Sequence, residues 1–296
     1  MAKPVSLKVD EVGAFVRSRR GQGRVVSVHA AAINVRWPDG LLMSIVEKTC
    51  RMTSLSLCAP SLFQGARPKS HASLMGNAVA LKEDSLLLDG LCLDMKAARL
   101  WEGLLPEDQI GGCCREKVSL IREALLSTGR KEGLLGMLGG LPETNPFVRY
   151  AFQRLEPTSS MQPGEPRLQE LASLIGLGPG FTPSGDDFIT GVLAGERIGR
   201  TVRGRKHPVP AVEEQPIRSC LWKTNDAGRT LLWMALQGHF PGYLVEAVKG
   251  LAGVSKDRDA GDVVADAAAH GETSGTDALA GLVWYLENFA LPRNRP

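Results

Sequence analysis

No Cys-x-x-Cys pair occurs anywhere in this sequence, and that absence removes the commonest zinc and iron–sulfur frameworks. The six cysteines stand at 50, 58, 92, 113, 114 and 220, and the adjacent pair Cys113-Cys114 cannot easily ligate one metal together. Reduced, buried thiols are the expected state. The five histidines (29, 71, 207, 239, 270) show no ligand spacing either. No apolar run approaches the ~20 residues that cross a bilayer. The opening Met-Ala-Lys-Pro-Val-Ser lacks the apolar core of a signal peptide, so a cytoplasmic protein is expected. A net charge of +3 is too small to argue for nucleic acid or an acidic membrane surface. Nucleotide grammar is missing too. No Gly-Lys-Ser/Thr follows the richest glycine stretch, and a dinucleotide fingerprint fails because Phe181 stands where its third glycine belongs. No serine sits in a Gly-x-Ser-x-Gly elbow.

What is present is the stretch Gly176-Leu-Gly-Pro-Gly-Phe-Thr-Pro-Ser-Gly-Asp-Asp187. Its three glycines (Gly176, Gly178, Gly180) and two prolines (Pro179, Pro183) forbid a regular element. Apolar residues at 188, 189, 192 and 193 then follow at the spacing of one helical face. The unit reads as a rigid loop feeding a helix start, where backbone N–H groups and the helix dipole suit a small anion. Ser184 and Asp187 alone make a capping box, a common way to open any helix. Capping does not account for Gly178, Gly180, Thr182 or the second carboxylate, Asp186. Asp186 and Asp187 are one helical step apart and point in different directions. Asp187 is expected to serve the cap, leaving Asp186 free for a substrate amide, a proton or Mg²⁺.

The pattern occurs twice. Ser184-Gly-Asp-Asp187-Phe-Ile-Thr-Gly191 aligns without a gap on Ser274-Gly-Thr-Asp277-Ala-Leu-Ala-Gly281, with Thr182 and Thr273 just upstream. Glycine inside a helix costs ~1 kcal/mol against alanine. Gly191 and Gly281 are easiest to understand where two helices approach closely. The copies are therefore expected to pack side by side, with both capped starts (Ser184, Gly185 and Asp187; Ser274, Gly275 and Asp277) facing one pocket. No nucleophile is evident, so such a site would act by positioning and electrostatic stabilisation.

With 296 residues, 43% of them hydrophobic, the chain can bury a sizeable core, and its length suggests two domains. The expected fold class is α+β: a small antiparallel β-rich domain over 1–95, then a larger, mainly helical domain over 96–296 carrying both motifs. Arg24 to Trp37 is β-rich and stops at Pro38-Asp-Gly40, a turn, with Leu41 to Val46 as the returning arm. Ala78–Leu81 and Leu86–Leu88 flank a second hairpin candidate, and Leu91–Leu93 continue it. Helical spacing is read over Lys96–Leu104 and Cys114–Leu126, more weakly over Lys131–Leu141, and again at Phe147–Leu155 and Leu168–Leu177. Glu156–Pro166 reads as a linker. The basic stretch Gly199–Pro210 reads as an exposed connection or a lid. Thr224 or Asn225 is expected to cap the apolar helix around Leu231–Leu236. Tyr243–Leu251, Asp262–His270 and Thr276–Phe289 complete the helices, with His270 read as a helix-end histidine.

Gly178-Pro-Gly-Phe-Thr-Pro-Ser-Gly-Asp-Asp187, together with Gly271-Glu-Thr-Ser-Gly-Thr-Asp277, resembles the AllH-like family, long catalogued as a domain of unknown function. The β-rich opening, including Ala32-Ile-Asn34 and the Pro38-Asp-Gly40 turn, is similar to that family's as well. Glu272 stands where the family pattern has a histidine, and a Thr-Thr segment of the family appears here as Thr224-Asn225 with Gly228. The resemblance implies a subunit of oxamate carbamoyltransferase, acting with other subunits in allantoin (purine) breakdown. There a carbamoyl group moves between oxalurate and phosphate, giving oxamate and carbamoyl phosphate. Carried onto this sequence, it implies Asp186 and Asp187 as catalytic. It implies Gly178, Gly180, Thr182, Ser184, Gly185, Thr224, Asn225, Thr273, Ser274, Gly275, Asp277 and Asn34 as substrate-binding. Two other classes stay open: a Mg²⁺-dependent phosphoryl-transfer enzyme, and a non-catalytic partner subunit of an oligomer.

Overall fold

The computed structural model describes residues 4–64, 72–139, 145–155, 168–202, 214–253 and 259–291. The chain divides into two compact units, Met1–Gly103 and Leu104–Pro296.

The first unit is built on one ten-stranded sheet. Its strands are β1 (Val5–Lys8), β2 (Glu11–Gly13), β3 (Gly21–His29), β4 (Ala32–Arg36), β5 (Leu42–Val46), β6 (Ser56–Cys58), β7 (Ala78–Leu81), β8 (Ser85–Leu88), β9 (Leu91–Asp94) and β10 (Arg99–Trp101). Their order in the sheet is β1-β9-β8-β7-β3-β4-β5-β6-β2-β10. The hairpins read from turn chemistry are present. β4 and β5 pair antiparallel around Pro38-Asp-Gly40, where Gly40 donates its N–H to the Trp37 carbonyl and Asp39 Oδ1 accepts from Leu41. β7 pairs with β8, and β8 with β9 through a turn in which Asp89 and Gly90 both have positive φ.

Two expectations are corrected. The sheet is mixed rather than antiparallel, because β1 with β9, β10 with β2, and β5 with β6 pair parallel. Parallel pairs need a long return path, so local turn signals do not reveal them. Residues 96–104, expected as helix, include strand β10. Arg99 donates its N–H to the Asp10 carbonyl, and its guanidinium meets Glu11 at 2.7 Å, so pairing with β2 overrides the local helical spacing.

The second unit is helical. Its longer helices are Arg115–Thr128, Pro146–Leu155, Ser184–Val202, Asp226–Leu236, Gly242–Ala252, Ala260–Ala268 and Ser274–Tyr285. Among the described residues, no helix is long and apolar enough to cross a membrane. Leu168–Leu177 holds only a turn of helix, Leu168–Leu171, and a 3-10 turn, Ala172–Leu174. The weak Lys131–Leu141 helix reduces to a 3-10 turn, Leu135–Leu138, which its glycines permit. The Ser184 helix continues through Arg200 to Val202, and Arg200 is buried against Glu196 at 2.8 Å rather than exposed. The rest of the basic stretch, 203–210, and the linker 156–166 lie outside the described residues.

The centre of this unit is the pair of motif helices, Ser184–Val202 and Ser274–Tyr285, running side by side in the same direction. A Cβ on Gly191 would overlap the Ala278 carbonyl, and one on Gly281 the Phe188 carbonyl. The approach continues down the first helix, where a Cβ on Gly195 would come within 2.9 Å of Tyr285 Cβ and one on Gly199 within 2.8 Å of Ala290 Cβ. Glycine at every fourth position from 191 to 199 thus clears one face for the partner helix. Phe188 and Trp284 pack across it with ring centroids 5.7 Å apart.

Candidate functional site

Parallel packing brings the two helix starts together, and their side chains interlock. Thr182 Oγ1 donates to Asp187 Oδ2 at 2.8 Å and lies 2.8 Å from Ser274 Oγ. Thr182 has one proton and Asp187 takes it, so Ser274 supplies the proton of that second contact. Ser184 Oγ lies 3.4 Å from Thr273 Oγ1. Residues about ninety positions apart therefore share one hydrogen-bonded joint. Ser184, Asp186, Asp187, Thr273 and Asp277 are buried in it, while Thr182 and Ser274 are half-buried and outermost.

The duplication extends upstream of the aligned motifs. Gly178 and Gly271 each adopt positive φ and each lie against the serine of their own motif, Ser184 and Ser274. Gly185 and Gly275 each press on a carbonyl of the preceding helical turn, Leu174 and Ala267 respectively. Their N–H groups each donate to the end of that turn, at Leu177 and His270. The first copy inserts three more residues between its positive-φ glycine and its serine. Those residues include Gly180, also at positive φ, and Phe181, which is 53% exposed.

The N–H groups of the first turns are largely spent within the chain. Asp186 and Asp187 donate to the Pro183 carbonyl, and Asp277 donates to Thr273. The hydrogen-bonding capacity left at the joint is therefore side-chain oxygen. Asp187 Oδ1 and Asp277 Oδ2 are buried and have no hydrogen-bond partner among the described residues. Burial, reinforced by the charge of Asp277, pushes the Asp187 carboxyl well above the usual carboxylate range, against the pull of the Thr182 and Ser274 hydroxyls. Burial also raises Asp277 to about 6, opposed by the Leu134 N–H and by the Ser184 and Thr273 hydroxyls.

Asp186 looks away from this pair. Its Oδ1 accepts from the Gly176 N–H at 2.9 Å and its Oδ2 from the Thr224 hydroxyl, and burial lifts its carboxyl to about 6. Gly228 lies against the same carboxylate, where a Cβ would overlap it. Asn225 caps the Asp226 helix by accepting from the N–H groups of Ala227 and Gly228, and its amide reaches the Phe181 carbonyl at 3.0 Å. Thr224 and Asn225 therefore tie a third helix start to the glycine-rich loop. Among the described residues, no group of three or more His, Cys, Asp or Glu side chains is arranged to hold a metal ion.

Sequence reasoning missed two parts of the surroundings. The loop after Thr128 supplies Leu134, whose N–H donates to Asp277 Oδ1 at 2.6 Å, and Gly133, where a Cβ would overlap the Asp277 carboxylate. Its signal was the glycine cluster from 129 to 140, read there as a broken helix. Tyr243 is buried, packs at a tilt against His270 with ring centroids 4.5 Å apart, and has its phenol pKa raised by burial and by Asp187 and Asp277. Only its position, just after Pro241-Gly242 at a helix start, marked it. Asn34 belongs to the first unit, on β4, where its amide donates to Ser27 and accepts from Ser44 at 2.6 Å. Cys58, Cys92, Cys113, Cys114 and Cys220 are free thiols.

Residues 174–286 match the family model described as oxamate carbamoyltransferase subunit AllH. No curated protein and no solved structure matches the chain. The matched stretch starts at the turn against which Gly185 packs and ends with the second motif helix, so it contains the whole joint. Over the segment that holds both motifs, the chain is similar to that family.

Proposed function

We propose that this chain is a subunit of a carbamoyltransferase of the oxamate carbamoyltransferase type, acting with partner subunits. In this reading it binds a small anionic substrate (carbamoyl phosphate, phosphate, oxamate or oxalurate) where the two motif helices begin. One observation carries it: two distant copies of Ser-Gly-x-Asp converge so closely that their hydroxyls touch, yet each leaves one buried carboxyl oxygen unspent. A fold that needed the joint only for capping would gain by satisfying those oxygens, because a buried polar atom without a partner costs ~1–3 kcal/mol. Asp187 and Asp277 are the residues that meet the ligand, with Thr182 and Ser274 at the entrance. Asp186, whose oxygens hold Gly176 and Thr224, positions the loop and the third helix start.

The test is the melting temperature of the full chain in millimolar oxamate, oxalurate, phosphate and carbamoyl phosphate. At least one should raise it, and Asp187→Asn, which keeps the shape of the side chain, should abolish the shift. If none of the four shifts the native chain, while Asp187→Asn and Ser184→Ala weaken only association with partner subunits, the chain is a non-catalytic partner.

A further inference from the structure

The loops that hold the joint also carry two aromatic rings into solvent. Phe181 is 53% exposed and Trp222 is 74% exposed. They belong to different segments, and those segments are fastened to each other from beneath. Asn225 reaches the Phe181 carbonyl at 3.0 Å, and Asp186 accepts from both the Gly176 N–H and the Thr224 hydroxyl. Gly176 itself lies against the Lys223 carbonyl, which a Cβ would approach to 2.7 Å. Backbone held this firmly has little freedom left to lose on docking, so its exposed rings are cheap to bury. At ~150–250 Å² per aromatic side chain, the exposed fractions of the two rings come to roughly 300 Å². That is more than a third of the ~800 Å² that each partner brings to a standard interface.

Charge says which partner fits. At one end of the patch the Lys223 ammonium lies over the Trp222 ring, 5.9 Å from its centroid. At the other end Glu272 stands two residues before Ser274, whose hydroxyl meets Thr182 beside Phe181. Both charges are exposed, and neither has an ion-pair partner among the described residues. The nearby Arg218 and Arg229 are already taken, by Glu214 and Asp226. The surface thus runs from a carboxylate, past Phe181, to an ammonium, and such a surface is its own complement. Turned about a twofold axis, it sets Glu272 of one copy against Lys223 of the other, and does so twice. We infer that this patch is the contact between two copies of the chain, with the axis passing at Phe181 and Trp222 as the anchor. The rings supply the hold, while the rim charges, worth little in themselves, fix the orientation. Thr182 and Ser274 lie between Glu272 and Phe181, so the entrance to each joint opens at this interface.

Oligomeric state tests this without any ligand. Light scattering of the full chain at micromolar concentration in physiological salt should give the mass of a dimer. Trp222→Ala should raise the dissociation constant at least about tenfold, as loss of an aromatic anchor does. Lys223→Glu and Glu272→Lys should each weaken the dimer, because each brings like charges together at both ends. Combined in one chain, the two reversals should restore it, since opposite charges then meet again. That rescue separates a contact from a damaged fold, which a second reversal would not repair. A native chain that stays monomeric assigns the patch to a different protein and overturns the inference. A dimer indifferent to Trp222→Ala, or one whose charge reversals do not repair each other, is built on another surface and overturns it equally.

Discussion

Asp277 Oδ1 accepts from the Leu134 N–H, and the displaced pKa of this buried carboxyl has a thermodynamic consequence. Folded, the carboxyl releases its proton near 6; unfolded, near 3.8. Between those values the folded chain binds more protons than the unfolded one, so this group's contribution falls as pH rises from about 4 to about 6 and stays at its minimum above. A shift of this size corresponds to roughly 3 kcal/mol. Asp277→Asn keeps an acceptor for the Leu134 N–H and removes the titration. The variant's melting temperature should therefore drop less than that of the native chain between pH 4 and pH 7, and parallel curves would count against a raised Asp277. Asn225 was legible as a helix opener because a cap is written within four consecutive residues. The expected roles of the aspartates are corrected: Asp187 accepts from Thr182, and it is Asp186 whose two oxygens are taken, by Gly176 and Thr224, which lie outside that local pattern. Gly133 and Tyr243 were not legible, since what distinguishes them is an aspartate more than thirty residues away that folding brings against them.

The two motif helices show how much a repeated spacing can reveal. Gly191 and Gly281 were readable as a close crossing because each sits at the same place in an aligned copy, against the helix propensity of both segments. Gly195 and Gly199 extend the same face and follow from helical periodicity, a signal present in the sequence but not read from it. At Gly191 the added methyl of alanine meets the Ala278 carbonyl and the Leu282 backbone nitrogen, atoms that no side-chain rotation can move aside. Gly191→Ala should therefore destabilise the chain by about 1–3 kcal/mol, despite alanine's better helix propensity, as overpacking does. Chemical denaturation measures this, and a variant as stable as the native chain would contradict the crossing. The reverse failure is strand β10, where apolar residues at helical spacing instead pair with a strand nearly ninety positions earlier. Local periodicity carries no record of such a partner.

At the scale of the molecule, the hairpins were legible from their turns and the helical part from its period. The sheet's parallel pairs were not, because β1 and β2 find their partners at the far end of the unit. The helical unit, Leu104–Pro296, contains both motifs, the Asp226 helix start and the Gly133 loop. Produced alone, residues 104–296 should unfold in a single cooperative transition and bind oxamate as the full chain does. A fragment without such a transition would show that the sheet unit is needed to form the joint. One further consequence follows from the motif helices pointing the same way. Each helix start carries about half a positive charge, so together they supply roughly one elementary charge at the joint. Asp186 and Asp277, each lifted by burial to about 6, together carry more than that once ionised. An anion entering this place must therefore bring a hydrogen ion with it, and its hold on the protein will strengthen as the surrounding medium turns more acidic.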